Sequence, residues 1–262
     1  MEIIADTHLH LYPCFGLDRA FSVFLDRFQG EEAHVERVAC LAERYDCFYY
    51  DRLRAGEDLL SNFIVEDADE NSLVLRRKND NRALTLLPGR QIITLERIEV
   101  LALCTTATFT ADMRAADLIR DIRQQNGIPV LPWSPGKWFG GRGRVIDGLL
   151  QSFTPGDFLV GDVSLRPVGW PVPLLMRKAR RLEYRIICGS DPLPFSEEEN
   201  SFGMYASRIE TVDNDITPAM MLSSLLANKA VNIAGLGRRS TPFALFHRLR
   251  KNAGAKKKQT AG

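Results

Sequence analysis

The stretch Ile3-Ile-Ala-Asp-Thr-His-Leu-His10 decides the expected fold and the candidate site. Its first three residues are apolar and suit a buried parallel strand. Side chains two residues apart point to the same side of an extended chain, so His8 and His10 would present two imidazoles together. In α/β folds, functional sites form at the carboxyl ends of the strands. The stretch therefore predicts an α/β fold with a site at the end of its first strand.

Two imidazoles on one side of a strand are suitable ligands for zinc, manganese or iron. Asp6 is placed to orient one ring through a hydrogen bond. The third expected ligand is Asp191, which follows an apolar strand and Gly189. A metal held by His8, His10 and Asp191 would leave positions open for water, as catalytic sites do. The alternatives are a strand whose two histidines are simply hydrogen-bonded, and an aspartate that caps its own proline-rich turn.

Composition and charge limit the classes of function. The chain has 262 residues, 45% of them hydrophobic, which is enough for one large α/β domain. Its 34 basic and 33 acidic residues create no strong field for nucleic acid or an anionic membrane. No apolar run approaches the roughly 20 residues of a membrane span, and the start of the chain lacks a secretory leader pattern. The five scattered cysteines favour reduced thiols in a cytoplasm. We therefore expect a cytoplasmic protein without nucleic-acid or membrane partners.

Strand-like and helix-like segments alternate along the chain, which indicates a parallel sheet closed or nearly closed into a barrel. Because the sequence contains neither an internal repeat nor a linker, residues 1–250 are predicted to form one domain. Residues 251–262 are rich in Lys, Ala and Gly and are predicted to be disordered. Near the site, the pattern predicts a helix over 31–44 and a short strand over 47–50 that ends at Asp51 and Arg52.

Charged and aromatic side chains that follow predicted strands are candidates for catalysis and substrate binding. Asp51 and Asp162 are candidates for a general base or for support of the metal ligands. The loop 133–144 combines glycines and positive charge ahead of a predicted helix over 145–153, which favours an anionic group such as phosphate. The alternative is a solvated, flexible loop. Lys137 is expected to neutralise charge on the reacting group, and Arg90 could join the anion site. The substrate-binding candidates are Arg52, Trp133, Arg142, Arg144 and Arg166.

The segment Asp6-Thr-His-Leu-His10 resembles the first motif of the PHP (polymerase and histidinol phosphatase) domain, and the resemblance extends in order over residues 1–195. Pro88-Gly-Arg-Gln-Ile92 is similar to the family's Pro-Gly-x-Glu-Ile segment, and Gly189-Ser-Asp-Pro-Leu193 to its Gly-Ser-Asp-Ala-His segment. The family consists of metal-dependent phosphoesterases. The resemblance implies a single-domain, distorted (β/α)7 barrel of the TIM type that binds a divalent metal, zinc or manganese.

The chain departs from the family at five ligand positions, which read Arg52, Gln91, Glu99, Ser134 and Leu193. Gln91 offers only a neutral amide oxygen, and Arg52 would place a cation inside a metal cluster, which repels divalent ions. A trinuclear centre is therefore not expected. One ion, helped by Glu99 or Glu96, is compatible with the ligands that remain. Alternatively, Arg52 replaces the missing metal charge and binds the anion directly.

Two functions follow from these residues. The first is a PHP-like phosphoesterase that uses one divalent ion to activate water on a small phosphorylated substrate. The second is a catalytically degenerate protein of the same fold, which binds an anionic ligand or a partner without turnover and without need of a metal. The amidohydrolases also begin with His-x-His, but they need later strand histidines, and only His34 and His247 remain here.

Overall fold

The computed structural model describes residues 1–32, 34–58, 60–69, 71–213, 216–227 and 231–260, with the backbone alone for 67, 68 and 256–260. In chain order the elements are β1 (Glu2–Leu9), α1 (Leu17–Arg27), β2 (Glu36–Leu41), α2 (Tyr49–Arg54), β3 (Phe63–Asp69), β4 (Ser72–Arg77), β5 (Ala83–Leu87), β6 (Gly89–Ile93), β7 (Glu99–Leu103), α3 (Ala115–Gln124), β8 (Ile128–Pro132), α4 (Gly140–Ser152), β9 (Leu159–Val163), α5 (Leu174–Arg181), β10 (Ile186–Gly189), β11 (Tyr205–Glu210), α6 (Pro218–Ala227), β12 (Asn232–Gly237) and α7 (Pro242–Thr260). A short 3-10 helix, Glu198–Ser201, lies between β10 and β11.

The described strands form two mixed sheets, with the orders β12-β11-β1-β2-β5-β4-β3 and β10-β9-β8-β7-β6. The expected distorted (β/α)7 barrel of the TIM type is therefore wrong, although the α/β character is correct. A parallel barrel needs a crossover after each strand, whereas the short connections after β4 and β6 make antiparallel hairpins. In addition, β1 pairs in parallel with β2 but antiparallel with β11.

The two sheets meet on both sides of the site-bearing end of β1. On one side the Asp191 N–H donates to the His8 carbonyl over 2.9 Å. A Cβ on Gly189 would lie 2.5 Å from the His8 Cβ, so only glycine permits this approach of β10 to β1. On the other side, the Gln91 N–H donates to the Glu43 carbonyl over 2.8 Å. The ends of β1 and β10 and the start of β6 are thereby brought together.

Apolar side chains from both sheets, including Ile3, Val38, Leu101 and Val130, form one shared core cluster. The other face of the first sheet packs against α1, and the other face of the second sheet packs against α3, α4 and α5. No helix within the described residues is long and apolar enough to cross a membrane. The core therefore fixes the relative positions of the strand ends that carry the site.

The predicted helix over 31–44 is wrong, because β2 occupies its centre. Val38, Ala39 and Leu41 are all buried, since this strand is covered on both faces. Without a solvent-facing side its apolar residues do not alternate, and their spacing imitates a helical stripe.

The region after β2 is also rearranged relative to the sequence prediction. The expected strand over 47–50 is wrong, because α2 begins at Tyr49 and carries Asp51 and Arg52 on a helix. The helix α4 begins at Gly140, so the second half of the expected anion-binding loop is helical. The helix α7 continues to Thr260, through most of the basic segment 251–262.

Candidate metal centre and its cleft

Three side chains bring potential metal-ligand atoms to one point. The Nε2 atoms of His8 and His10 lie 3.1 Å apart. The Asp191 Oδ1 lies 3.7 Å from the His8 Nε2 and 3.6 Å from the His10 Nε2. In a tetrahedral site with metal–ligand bonds of about 2.1 Å, ligand atoms are separated by about 3.4 Å. The three atoms are therefore spaced as ligands of a single ion, as the sequence predicts for these residues.

Asp6 supports the centre through the backbone and not through an imidazole. Its Oδ1 accepts hydrogen bonds from the N–H groups of Ser190 (2.8 Å) and His8 (3.3 Å), and its Oδ2 accepts one from the Gly203 N–H (3.0 Å). Within the described part of the chain, neither histidine ring donates the expected hydrogen bond to Asp6. Both Nδ1 atoms, of His8 and His10, are buried without a hydrogen-bond partner among the described residues. Asp6 thus fixes the backbone of His8 and of Ser190, the residue that precedes Asp191.

Burial and charge set the protonation states of the ligands. Burial alone would raise the pKa of Asp191, but the neighbouring His8 and His10 rings and the charge of Arg248 hold it at about 2. Burial lowers the pKa of His8, although the Asp191 charge opposes this effect. An ionised carboxylate and a neutral imidazole are the forms that bind divalent metals. The directions of these two shifts favour the metal-binding forms of Asp191 and His8.

A fourth potential ligand atom, an oxygen, lies beside the histidine pair. The Gln91 Oε1, on β6, is 3.3 Å from the His8 Nε2. Glu99 forms an ion pair with Lys137, and Glu96 accepts a hydrogen bond from the Ala115 N–H at the start of α3. Glu96 is thereby committed to capping a helix, so Gln91 and not Glu96 is the side chain that can complete the ligand set.

The centre opens into a cleft of about 840 Å³. This volume is in the range of cavities that enclose whole small ligands. Besides His10 and Asp191, its lining includes the cations Arg44, Arg90 and Lys137, the carboxylates Glu43 and Glu99, and the aromatic residues Tyr12, Tyr45, Phe48 and Phe109. The cleft therefore combines balanced charge with a large aromatic share.

Two of the predicted site residues are paired with each other away from this cleft. Arg166 donates to both Asp162 oxygens over 2.7 and 2.5 Å, and the Tyr205 hydroxyl donates to the same carboxylate over 3.1 Å. Both side chains are buried. Neither side chain lines the cleft, because the Arg166 guanidinium turns back toward Asp162 at the end of β9. Asp162 as a base and Arg166 as an anion ligand are therefore not supported.

The remaining candidates also lie mostly outside the cleft lining. Arg52 pairs with Asp58 over 2.5 Å, and Asp51 is exposed and 3.6 Å from the Arg90 Nη2. Trp133 is buried and packs in the core, Arg142 donates to the Gly136 carbonyl, and Arg144 is exposed. Of the predicted catalytic and anion-binding side chains, Lys137 and Arg90 line the cleft, and Glu99 forms an ion pair with Lys137.

The sequence analysis missed Arg44, Tyr45 and Phe48, which line the cleft from the segment between β2 and α2. Because a helix over 31–44 and a strand over 47–50 were predicted here, this segment was not recognised as the loop that connects β2 to α2. A usable signal existed, because cations and aromatic residues are mixed here directly after an apolar run. Such a mixture after a strand end is typical of a binding loop.

No family model and no curated protein sequence matches the chain. Its fold is nevertheless similar to solved structures. One is PsfC from Pseudomonas syringae PB-5123, with a TM-score of 0.61 and 14% identity over 97% of this chain and 99% of PsfC. Another is the lesion-specific endonuclease Q of Pyrococcus furiosus, with a TM-score of 0.52 and 10% identity over 90% of this chain and 59% of that chain. At these identities the similarity shows a shared mixed α/β fold.

A third solved structure is endonuclease Q in complex with a 27-mer duplex that has an abasic lesion at the active site, with a TM-score of 0.51, 10% identity, and coverage of 90% of this chain and 60% of that chain. This complex corrects the expectation that nucleic acid is excluded as a partner. The expectation rested on the balanced net charge of the whole chain, yet a protein of similar fold binds a DNA duplex. Local charge at a cleft decides such binding, and net charge does not exclude it.

Proposed function

We propose that this chain is a metal-dependent hydrolase of phosphate esters that holds one divalent ion, zinc or manganese, through His8, His10 and Asp191. The observation that carries the proposal is the convergence of two Nε2 atoms and one Oδ1 atom within 3.7 Å of one another at the cleft. The fold shared with endonuclease Q and the resemblance of the first motif to PHP phosphoesterases support it.

The donor set fits such an ion. Two imidazoles and a carboxylate, with the Gln91 amide oxygen beside them, suit zinc and manganese. The unpartnered Nδ1 atoms of His8 and His10 are a departure from well-ordered sites. Loss of such outer hydrogen bonds typically weakens metal binding by roughly 10- to 100-fold. We therefore expect an ion that binds stoichiometrically but exchanges readily.

When bound, the ion would lower the pKa of a coordinated water and polarise a phosphoryl oxygen. The chain itself supplies the surrounding charges. Asp191 remains ionised at neutral pH because His8, His10 and Arg248 stabilise its charge. Lys137 and Arg90 are the cleft cations suited to the phosphoryl oxygens. Lys137 must exchange its Glu99 partner for the substrate, so its contribution depends on substrate binding.

The second candidate function is ligand binding without turnover. It is favoured by the ion pair between Lys137 and Glu99, which neutralises the one predicted catalytic cation in the cleft. It is also favoured by Gln91 and Arg52, which replace ligands of the resembling family. This candidate predicts that phosphate esters bind and raise the melting temperature without being hydrolysed.

Metal analysis followed by an activity screen separates these functions. The purified wild type, His8→Ala and Asp191→Asn are brought to equilibrium by dialysis against buffer that contains zinc or manganese, and the metal bound in excess of the dialysate is measured. His34→Ala is the matched control, since His34 is exposed and pairs with Glu2 and Glu32. We expect one ion per chain in the wild type and in the control, and loss of the ion in both site variants.

The screen then offers phosphomonoesters, phosphodiesters and oligonucleotides with and without an abasic position. Metal-dependent hydrolysis that disappears in Asp191→Asn supports the hydrolase. Stoichiometric metal without turnover of any substrate supports the binding protein instead. A folded wild type that retains no metal refutes the proposed centre.

A further inference from the structure

The segment between β2 and α2 presents two aromatic side chains at the cleft. Tyr45 is 82% exposed and Phe48 is 47% exposed. Single exposed apolar residues are common on protein surfaces and need no explanation. These two, however, line the same cleft as the metal-ligand candidates His10 and Asp191. Their exposed ring faces are therefore available to whatever that cleft binds.

Each ring is accompanied by an arginine. The Arg44 Cζ lies 5.9 Å from the Tyr45 ring centroid, and the Arg90 Cζ lies 4.5 Å from the Phe48 ring centroid. Arg90 is fixed in turn, because its Nη1 donates to the Cys47 carbonyl over 2.5 Å and lies 3.5 Å from Glu43. A cation over one ring face holds the ring through its quadrupole. We call Arg44, Tyr45, Phe48 and Arg90 the aromatic rim.

The aromatic rim is connected to the metal-ligand candidates by short contacts. The His10 and Tyr12 ring centroids are 5.5 Å apart. The Arg44 Cζ lies 5.9 Å from the Tyr12 ring, and the same guanidinium reaches the Tyr45 ring. Three contacts of less than 6 Å thus lead from His10 to Tyr45. His10 and the aromatic rim therefore line one continuous cleft.

We propose that the aromatic rim is a base-stacking subsite and that the phosphate ester bound in this cleft carries a nucleobase. The inference rests on the proposed function for the phosphoryl end of the ligand. Aromatic side chains interleaved with arginines bind bases by stacking and cation–π contact, with little preference for sequence. An aliphatic ester would leave both exposed rings in water.

The subsite is tested by comparing two phosphate esters that differ only in the base. Adenosine 5′-monophosphate and ribose 5-phosphate are titrated by calorimetry into the wild type without added metal, so that neither ester is hydrolysed. We expect the nucleotide to bind roughly tenfold more tightly, in line with the stacking of one base on aromatic side chains. Tyr45→Ala and Phe48→Ala should each reduce this ratio, and the double variant should bring it close to one. Ribose 5-phosphate should bind all variants equally.

Two control variants make the outcome specific. Tyr45→Phe keeps the ring and should keep the preference for the nucleotide. Phe243→Ala removes an 81% exposed ring that does not line the cleft, and it should change nothing. Equal affinities of the two esters in the wild type, or a preference that survives the double substitution, would overturn the subsite.

A further arm identifies the source of the base. Tighter binding of a short 5′-phosphorylated single strand than of the mononucleotide assigns the subsite to nucleic acid, and equal binding assigns it to free nucleotides. Both results support stacking. Failure of the hydrolase proposal is recognised separately, because it appears as missing metal or missing turnover while the Tyr45-dependent preference persists.

Discussion

Arg248 on α7 offers the sharpest test of how the site is held together. The side chain is buried and donates to both Glu198 oxygens, with its shortest contact at 2.6 Å. It also donates to the hydroxyls of Ser164 (3.0 Å) and Ser240 (2.9 Å) and to the Asp191 carbonyl (3.3 Å). Arg248→Met removes all of these contacts and leaves Glu198 as a buried charge without its cation.

The expected cost follows from that uncompensated charge. Breaking a buried ion pair by removing one partner destabilises a protein by about 3–5 kcal/mol. For a chain of this size, each kcal/mol lowers the melting temperature by roughly 2–4 °C, so we expect a decrease of roughly 6–20 °C. Arg250→Met, an exposed substitution on the same helix, should change the free energy of unfolding by less than about 0.5 kcal/mol.

Urea denaturation and thermal melting of the wild type, both single variants and Arg248→Met combined with Glu198→Gln provide the measurement. The double variant should recover a large part of the lost stability, because it removes the unpaired charge. If Arg248→Met is no less stable than Arg250→Met, the buried pair does not fasten α7 to the Asp191 segment. If the double variant recovers nothing, the loss arises from packing and not from charge.

Three further predictions concern the centre itself. Zinc or manganese at about 100 times its dissociation constant should stabilise the wild type by about 2.7 kcal/mol and leave Asp191→Asn unchanged, as thermal melting with and without metal would reveal. Without metal, the lowered pKa of Asp191, about 2 instead of 3.8, adds about 2 kcal/mol to the free energy of unfolding above pH 4. This contribution is lost as the pH falls through 2. In Asp191→Asn, the free energy of unfolding should therefore fall less steeply at acid pH. Gly189→Ala places a Cβ 2.5 Å from the His8 Cβ and should cost roughly 1–3 kcal/mol and weaken metal binding, whereas Gly148→Ala, with open space around it, should do neither. A Gly189→Ala variant with unchanged metal affinity would contradict the close approach of the two strands.

The metal-ligand candidates could be predicted from the sequence because their arrangement is local. His8 and His10 project together from two-residue spacing, and Asp191 follows a clear apolar strand and a glycine.

What could not be predicted depends on contacts between distant segments. Asp162 was expected at the site because it lies at the end of a predicted strand, but it forms an ion pair with Arg166, four residues further along the chain. The barrel prediction was wrong because alternation of elements does not determine which strands pair. The cleft lining from Arg44 to Phe48 could be recognised only if β2 had been predicted correctly. Because β2 is buried on both faces, the spacing of its apolar residues resembles that of a helix. The net charge of the whole chain gave no indication of how cations and aromatic rings are arranged at the cleft.

The contact between α7 and the Asp191 segment has a consequence for biosynthesis. The first strand supplies His8, whereas Arg248 belongs to the final helix, so the site joins segments from nearly opposite ends of the chain. The segments that carry His8, Asp191 and Arg248 must therefore all have left the ribosome before this arrangement can form. Chains dominated by such distant pairings fold slowly and expose apolar surface meanwhile. Nascent chains that stop before α7 should consequently be the ones that chaperones retain.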